Sequence, residues 1–422
     1  MREDGGSADA PRWCDWVFAL GGAIILADAF DAPLYAVFGW RATLLPGLPI
    51  ARLLLLAVFA AAGVLLAGDL RRAADYVRAT ALLWPAVALT FVSAFWSERP
   101  ATTLLWAAAL LGTSAFGIAL AVRFSAHAQS ALTAAAVTCI AVTSALVVLL
   151  WPAFGLGRHD QWRGIYVYKN LLGRCMALGV VAAAVASLSG RRRVPALTAV
   201  LLCGGVMLAT RSRASILSAL VAIAAALVLL AARKRRRQAF AIVSSGAAMT
   251  IAVLVLLVTT GPGLALLGRD ATLTARTTIW KGIATRAMQR PWLGHGYGAF
   301  WASPMGQEPL PRVGITITEA HNGIVDVFAE VGVVGVILVL VPFGVFAAAA
   351  LRAALEPGAG AGVWPATYLV FFVASNAAES AFLRHKLYWA LYVAVACHVA
   401  GGRRHAPCAD QHSAREQGMS PR

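Results

Sequence analysis

Residues 101–122 read ATTLLWAAALLGTSAFGIALAV, and after a short gap residues 130–151 read SALTAAAVTCIAVTSALVVLLW. Neither stretch contains Asp, Glu, Lys or Arg. As a helix, each is long enough to cross the roughly 30 Å hydrocarbon core of a bilayer. The rest of the chain has the same character: 60% of its 422 residues are hydrophobic and 13% are charged. Mean hydropathy is +0.73. Soluble domains carry about 45–50% apolar and about 25% charged residues, so a soluble enzyme, a coiled coil and a disordered chain are excluded. About twelve spans of about 20 residues would use a little over half the chain.

The pattern predicts an all-α polytopic integral membrane protein. Spans are expected at 16–30, 51–68, 80–96, 101–122, 130–151, 170–189, 194–210, 214–232, 238–260, 323–349, 363–382 and 387–400. The first and last are short, which leaves eleven or twelve. Proline at 85, 342 and 365 should kink or begin helices rather than abolish them. The parts are then an N-terminal segment, 1–15, a first transmembrane bundle, 16–260, a long loop, 261–322, closing helices, 323–400, and a polar tail, 401–422, that reads as disordered.

The net charge of +17 would suggest nucleic acid in a soluble protein. In a membrane protein it is first a question of sidedness, and no nucleic-acid partner is expected. The basic clusters Arg71-Arg72 with Arg78, Arg191-Arg192-Arg193, and Arg233 to Arg237 each follow an even-numbered span, and the tail adds Arg403 and Arg404. The positive-inside rule places them in the cytoplasm, with both termini, in a bacterial inner membrane. The segment before Trp16 is net acidic, unlike the basic start of a cleaved signal peptide. The six cysteines show no C-x-x-C or Cys/His zinc spacing, so neither a disulfide nor a metal site is expected.

Topogenesis does not account for the basic residues on the other face: Arg158, Arg163, Lys169, Arg211, Arg213, Arg269, Arg276, Lys281, Arg286, Arg290, Arg312, Arg384 and Lys386. Two readings fit them, a phosphate-bearing substrate and phospholipid headgroups. The tight turn Thr210-Arg211-Ser212-Arg213 suits capture of a multiply charged oxyanion. In 274–290, TARTTIWKGIATRAMQR, an apolar face of Ile279, Trp280, Ile283 and Ala287 reads as a helix lying on the membrane surface. Arg276 on that face needs a carboxylate or an anionic ligand, and Arg286 and Arg290 flank it.

Glu319-Ala320-His321-Asn322-Gly323 opens the tenth span. Asn322, Asp326 and Glu330 then form one polar stripe on an apolar helix. An imidazole at that mouth meets both water and a lipid-borne ligand and can take a proton from a hydroxyl nucleophile. A capping or interfacial role for His321 is the other reading. Asn376, Glu379, Arg384 and His385 form a second polar cluster, read as support, with Glu379 expected to fix an external Arg. There is no P-loop, no G-x-S-x-G elbow and no D-x-D pair for a metal on a sugar diphosphate. A diphosphate donor would need Arg as its counter-charge.

Four segments resemble the bacterial O-antigen ligase and polymerase superfamily, and most of all its exopolysaccharide-polymerase branch. They are Phe95 to Pro100 with Thr103 and Leu104; Arg163-Gly164-Ile165-Tyr166 with Lys169-Asn170 and Gly173; Ser212-Arg213-Ala214-Ser215; and Gly268-Arg269-Asp270 through Arg276, Trp280, Arg290-Pro291, Gly294, Gly296-Tyr297-Gly298 and Phe300-Trp301 to His321-Asn322-Gly323, Glu330 and Gly332. Each motif alone is weak; their order carries the match. Tyr168 stands where relatives often carry His.

The resemblance implies a GT-C-like glycosyltransferase with one long periplasmic loop. It would move an undecaprenyl-pyrophosphate-linked glycan to a sugar hydroxyl on a polysaccharide or on lipid A–core, with inversion and without metal or other cofactor. Its other partners would be membrane lipids and further polysaccharide-assembly proteins. The family's essential residues match His321, Arg276, Arg211 or Arg213, and Arg286 or Arg290. Lys169, Asn322 and Glu330 are the remaining expected substrate contacts. A transporter of anionic or lipid-linked solutes is the alternative from another class, but no internal repeat favours it.

Overall fold

The computed structural model describes residues 11–30, 33, 49–188, 193–234, 246, 272–303, 306, 319–356 and 362–401. Among them the regular structure is helical, with no named strand. In chain order the main helices are α1 (Trp13–Leu26), α2 (Pro49–Ala67), α3 (Leu70–Ala79), α4 (Trp84–Val92), α5 (Pro100–Arg123), α6 (Ala126–Leu150) and α7 (Lys169–Ala186). They continue with α8 (Arg193–Ala209), α9 (Arg213–Lys234), α10 (Thr272–Ala287), α11 (Gly323–Leu355), α12 (Val363–Asn376) and α13 (Leu387–Gly401). Six of these are long and apolar enough to cross a membrane: α2, α5, α6, α7, α9 and α11. The pair formed by α3 and 81–95, bent by 64°, makes a seventh if it is one span. The apolar helices α1, α8, α12 and α13 are shorter, at 14 to 17 residues.

This architecture is consistent with a polytopic membrane protein. Helices overlap eleven of the twelve expected spans, 363–382 only as far as Asn376, but among the described residues six helices, or seven with the bent pair, are long and apolar enough to cross, so the expected count of eleven or twelve is not shown; 238–260 lies outside the described residues apart from Gly246, as do 1–10, 261–271 and the tail beyond 401. The basic stretch around Arg71, Arg72 and Arg78, read from sequence as a loop, is the helix α3, capped by Asp69 accepting from the Arg72 N–H. Its Ala73 and Tyr76 face inward, and the Tyr76 ring meets His398.

Lipid is as apolar as leucine, so helices there associate through close packing and buried hydrogen bonds rather than hydrophobic burial. The structure shows both devices. Gly179 of α7 lets Val137 and Cys203 approach, and Gly117 of α5 sits against the Ala390 carbonyl of α13. The same pair of helices shares a hydrogen bond from the Trp389 indole to the Ser114 hydroxyl, 2.9 Å.

Two features set up the candidate site. First, α10 does not lie on a membrane surface through its apolar face, as sequence suggested. Ile279, Ile283 and Ala287 are buried in a cluster with Phe300, Trp301, Ala320 and Ala329, and Trp280 donates to the Ala320 carbonyl at 2.9 Å. The face that reads as membrane-seeking is covered by protein, because tertiary neighbours compete for the same apolar area. Second, α11 breaks at Gly332, whose φ of 68° favours glycine. The segment 291–296 runs alongside and satisfies the interrupted backbone. The His295 and Gly296 N–H groups donate to the Ala329 and Glu330 carbonyls, and the Val333 and Val334 N–H groups donate to Pro291 and Trp292. Gly332 lies so close to the Trp292 carbonyl that a side chain would collide. The opening of α11 is thereby tied to the Pro/Gly-rich turns.

Candidate functional site

The first turn of α11 is capped by Asn322, whose Oδ1 accepts from the Ile324 and Val325 N–H groups at 3.1 and 3.3 Å. Immediately before the cap, His321 holds a left-handed φ of 51°. That conformation is uncommon for a residue with a Cβ and calls for surrounding structure to hold it. The surroundings are two carboxylates. His321 Nδ1 lies 3.1 Å from Glu379 Oε2 and 3.3 Å from Glu319 Oε1. The imidazole remains about a third exposed, with a side-chain accessibility of 35%, whereas Glu379 is buried. Burial, and then the neighbouring charge of Glu379, raises the Glu319 carboxyl above its ordinary range.

Ligand atoms of Glu319, His321 and Glu379 lie within 4.8 Å of one another, close enough to hold a metal ion. The spacing argument against a metal site did not anticipate this group, because its third member arrives from 58 residues downstream. As a donor set it is equally a base held by two acceptors, and the latter needs nothing further to orient the ring.

Glu379 sits on the connection between α12 and α13, at 377–386, which folds back into the molecule. Asn376 Oδ1 holds it by accepting from the Ala381 and Phe382 N–H groups at 2.9 and 3.1 Å. The same connection delivers Arg384, buried, whose Nη1 meets Glu330 Oε1 at 2.9 Å and whose Nη2 meets Asp326 Oδ2 at 3.1 Å. Asp326 also accepts from the Ser380 hydroxyl and from the Ala320 N–H, the latter at 2.9 Å. Tyr297 donates to the Leu383 carbonyl. Lys386 pairs with Asp28 at 2.7 Å, which ties the connection to the end of α1. His385 packs edge-on to Trp106, and burial pushes its imidazole down to about 3, so it stays neutral.

The expected residues separate into groups. Asn322 is a helix cap, and Glu330 is buried against Arg384. Glu379 pairs with His321, a contact the sequence reading did not expect. Arg211 is exposed, with φ 49°, and donates to the His159 carbonyl at 3.2 Å; Arg213 is exposed at the start of α9. Arg290 is exposed and donates to the Trp96 carbonyl at 3.1 Å, and Arg286 is half-buried. Lys169 is half-buried at the start of α7. Arg276 lies on α10, but its side chain is outside the described residues, as are Arg269 and Arg312.

The four sequence segments meet in pairs. The first and fourth join where the Trp96 indole donates to the Leu293 carbonyl at 3.1 Å and Arg290 Nη1 donates to the Trp96 carbonyl at 3.1 Å. The second and third join where Ser212 Oγ donates to Asn170 Oδ1 at 3.2 Å. Gly173 makes that contact possible, since a Cβ there would stand 2.8 Å from both Ser212 and Ser215. Sequence reasoning missed the direct partnership of Glu379 with His321. A signal existed, because an ionisable residue inside or beside an apolar span is a functional-site hypothesis by default.

Residues 198–340, about a third of the chain, match the family model described as O-antigen ligase. The matched region runs from α8 through α10 and His321 into α11. It supports membership of the O-antigen ligase and polymerase superfamily, and with it a glycosyltransferase-like activity at the level of the family. No curated protein matches the chain significantly.

Proposed function

We propose that the chain is a membrane glycosyltransferase that moves a glycan from undecaprenyl pyrophosphate to an acceptor sugar hydroxyl on the periplasmic side, with inversion and without metal. The observation that carries this reading is His321, strained, part-exposed, hydrogen-bonded through Nδ1 to Glu379 and 3.3 Å from the Glu319 carboxylate. Such bonding orients the ring and stabilises the imidazolium that forms when the base takes a proton. The acceptor oxygen attacks the anomeric carbon and loses its proton to His321. The bond from that carbon to the phosphate oxygen breaks, and its electron pair leaves on the pyrophosphate. Arg276, with Arg211, Arg213, Arg286, Arg290 and Lys169 at the periphery, supplies positive charge toward the leaving group.

The polymerase-like fourth segment favours a repeat-unit polymerase of O-antigen or exopolysaccharide assembly. The family description favours the second reading, a ligase acting on lipid A–core. Reconstitution of the purified chain with a lipid-linked repeat unit, with and without lipid A–core, separates them. A ladder of longer lipid-linked chains without core means polymerase, and transfer only in the presence of core means ligase. No transfer to either acceptor overturns the proposal and returns the transporter reading.

A further inference from the structure

The apolar face of α10 is covered by protein, yet exposed apolar side chains gather one turn further on. Together with α3, the helical stretch Ala81–Phe95 has the length and apolarity of a span. Its exposed residues Leu82, Pro85, Ala88, Val92 and Phe95 recur every three or four positions and so share one face. That face carries no charge. Phe95, at its end, is 91% exposed.

The turn after α10 lies beside this end. The Trp96 indole donates to the Leu293 carbonyl, and Arg290 donates back to the Trp96 carbonyl. These bonds hold the end of the stripe against a segment in which Met288, Trp292 and Leu293 are all exposed, Trp292 at 69%. The exposed residues of α10 itself are the polar Lys281 and Thr285. Arg99 and Arg290 are exposed on the two joined segments, and Glu98 is the one acid in 95–100 and 288–293. Exposed aromatic rings at the end of an apolar stripe, with guanidinium groups beside them, suit the headgroup level of a bilayer. Rings there reach the acyl chains while the cations reach phosphate. Continuity with the stripe favours lipid over a second protein surface, since a span face that meets lipid meets it up to its end.

We infer that Phe95, Met288, Trp292 and Leu293 form a seat in the lipid leaflet at this end of the molecule, with Arg99 and Arg290 set against anionic phospholipid headgroups. The seat is independent of the chemistry at His321, but it bears on the helix that carries that chemistry. The Pro291 and Trp292 carbonyls accept from the Val333 and Val334 N–H groups just past the break at Gly332. Lipid that holds Trp292 therefore also holds α11.

The test places the photocrosslinking amino acid p-benzoylphenylalanine in the full chain instead of Phe95, instead of Trp292 and, as a polar control, instead of Lys281. Each protein is purified into nanodiscs of equal phosphatidylglycerol and phosphatidylcholine with matched acyl chains, irradiated, and its adducts identified by mass spectrometry. Phospholipid adducts should dominate at 95 and 292 and be scarce at 281. In the protein labelled at 292, Arg290→Gln should lower the ratio of phosphatidylglycerol to phosphatidylcholine adducts about fivefold, the effect of one basic residue at an anionic surface. Positions 95 and 292 lie on separate segments, so either decides the matter if the other variant fails to fold. Adducts to peptide of this chain or of a second copy in place of lipid, or lipid adducts as frequent at 281, overturn the seat. A lipid ratio unchanged by Arg290→Gln overturns the part given to its charge.

Discussion

The two carboxylate clusters at the opening of α11 are neighbours along both chain segments that build them, yet the basic partner is buried in one and part-exposed in the other. Asp326 and Glu330 close on a buried Arg384, with Ser380 and the Ala320 N–H taking up further oxygen valence. Glu319 and Glu379 meet on a single part-exposed imidazole. The closed cluster grips Ala320 and Ser380, and the open one uses His321 and Glu379, the very next residues on the same segments. Complete pairing in a dry place fixes backbone, whereas an imidazole with a third of its side chain exposed can still exchange a proton with what reaches it. The difference assigns scaffold to one cluster and chemistry to the other.

The sharpest way to break this division is His321→Ala, expected to lower transfer by about 10²–10⁴-fold, the range for loss of a positioned base. The protein should still reach the membrane, and turnover near the wild-type rate would remove the base from the mechanism. Arg276→Ala should cost about 10²–10³-fold if its charge serves the leaving group.

Arg384→Met attacks the other side. It strands two buried carboxylates and should destabilise the protein by about 3–5 kcal/mol, read as thermal unfolding in detergent. Adding Glu330→Gln and Asp326→Asn should recover part of that loss. A single variant that melts with the wild type would mean that the closed cluster holds nothing in place.

Glu379→Gln and Glu319→Gln sharpen the comparison with smaller effects, about tenfold in turnover. Each removes a negative charge from beside the imidazole, which makes the imidazolium less favourable. The base form then persists to lower pH, and the acid limb of the pH–rate profile should move to lower pH in both variants. A limb that stays in place would separate the carboxylates from the proton transfer. The smallest expected effect is that of a chelator: dialysis against EDTA should leave turnover unchanged. Loss of activity restored by Zn²⁺ or Mn²⁺ would instead make Glu319, His321 and Glu379 a metal site.

Much of the helical framework was legible in the chain, since a stretch such as 101–122 has few alternatives when its backbone must satisfy itself in lipid. The face of α10 was legible as apolar, but not what covers it, because amphipathicity states that a face is buried and not against what. His321 stood out at a helix mouth by local order alone. Its partnership with Glu379 did not, because Glu379 lies 58 residues away and reads in sequence as part of a supporting cluster with Asn376, Arg384 and His385.

Composition and periodicity therefore determined, without help, that this chain is a many-helix membrane protein with cations gathered outside its apolar runs and an imidazole at the entrance to one of them. Tertiary structure decided which acid faces which base. The break at Gly332 and the inward fold of 377–386 set those distances, and pairwise electrostatics at 3 Å depends on where long-range connections bring the groups rather than on their spacing in sequence.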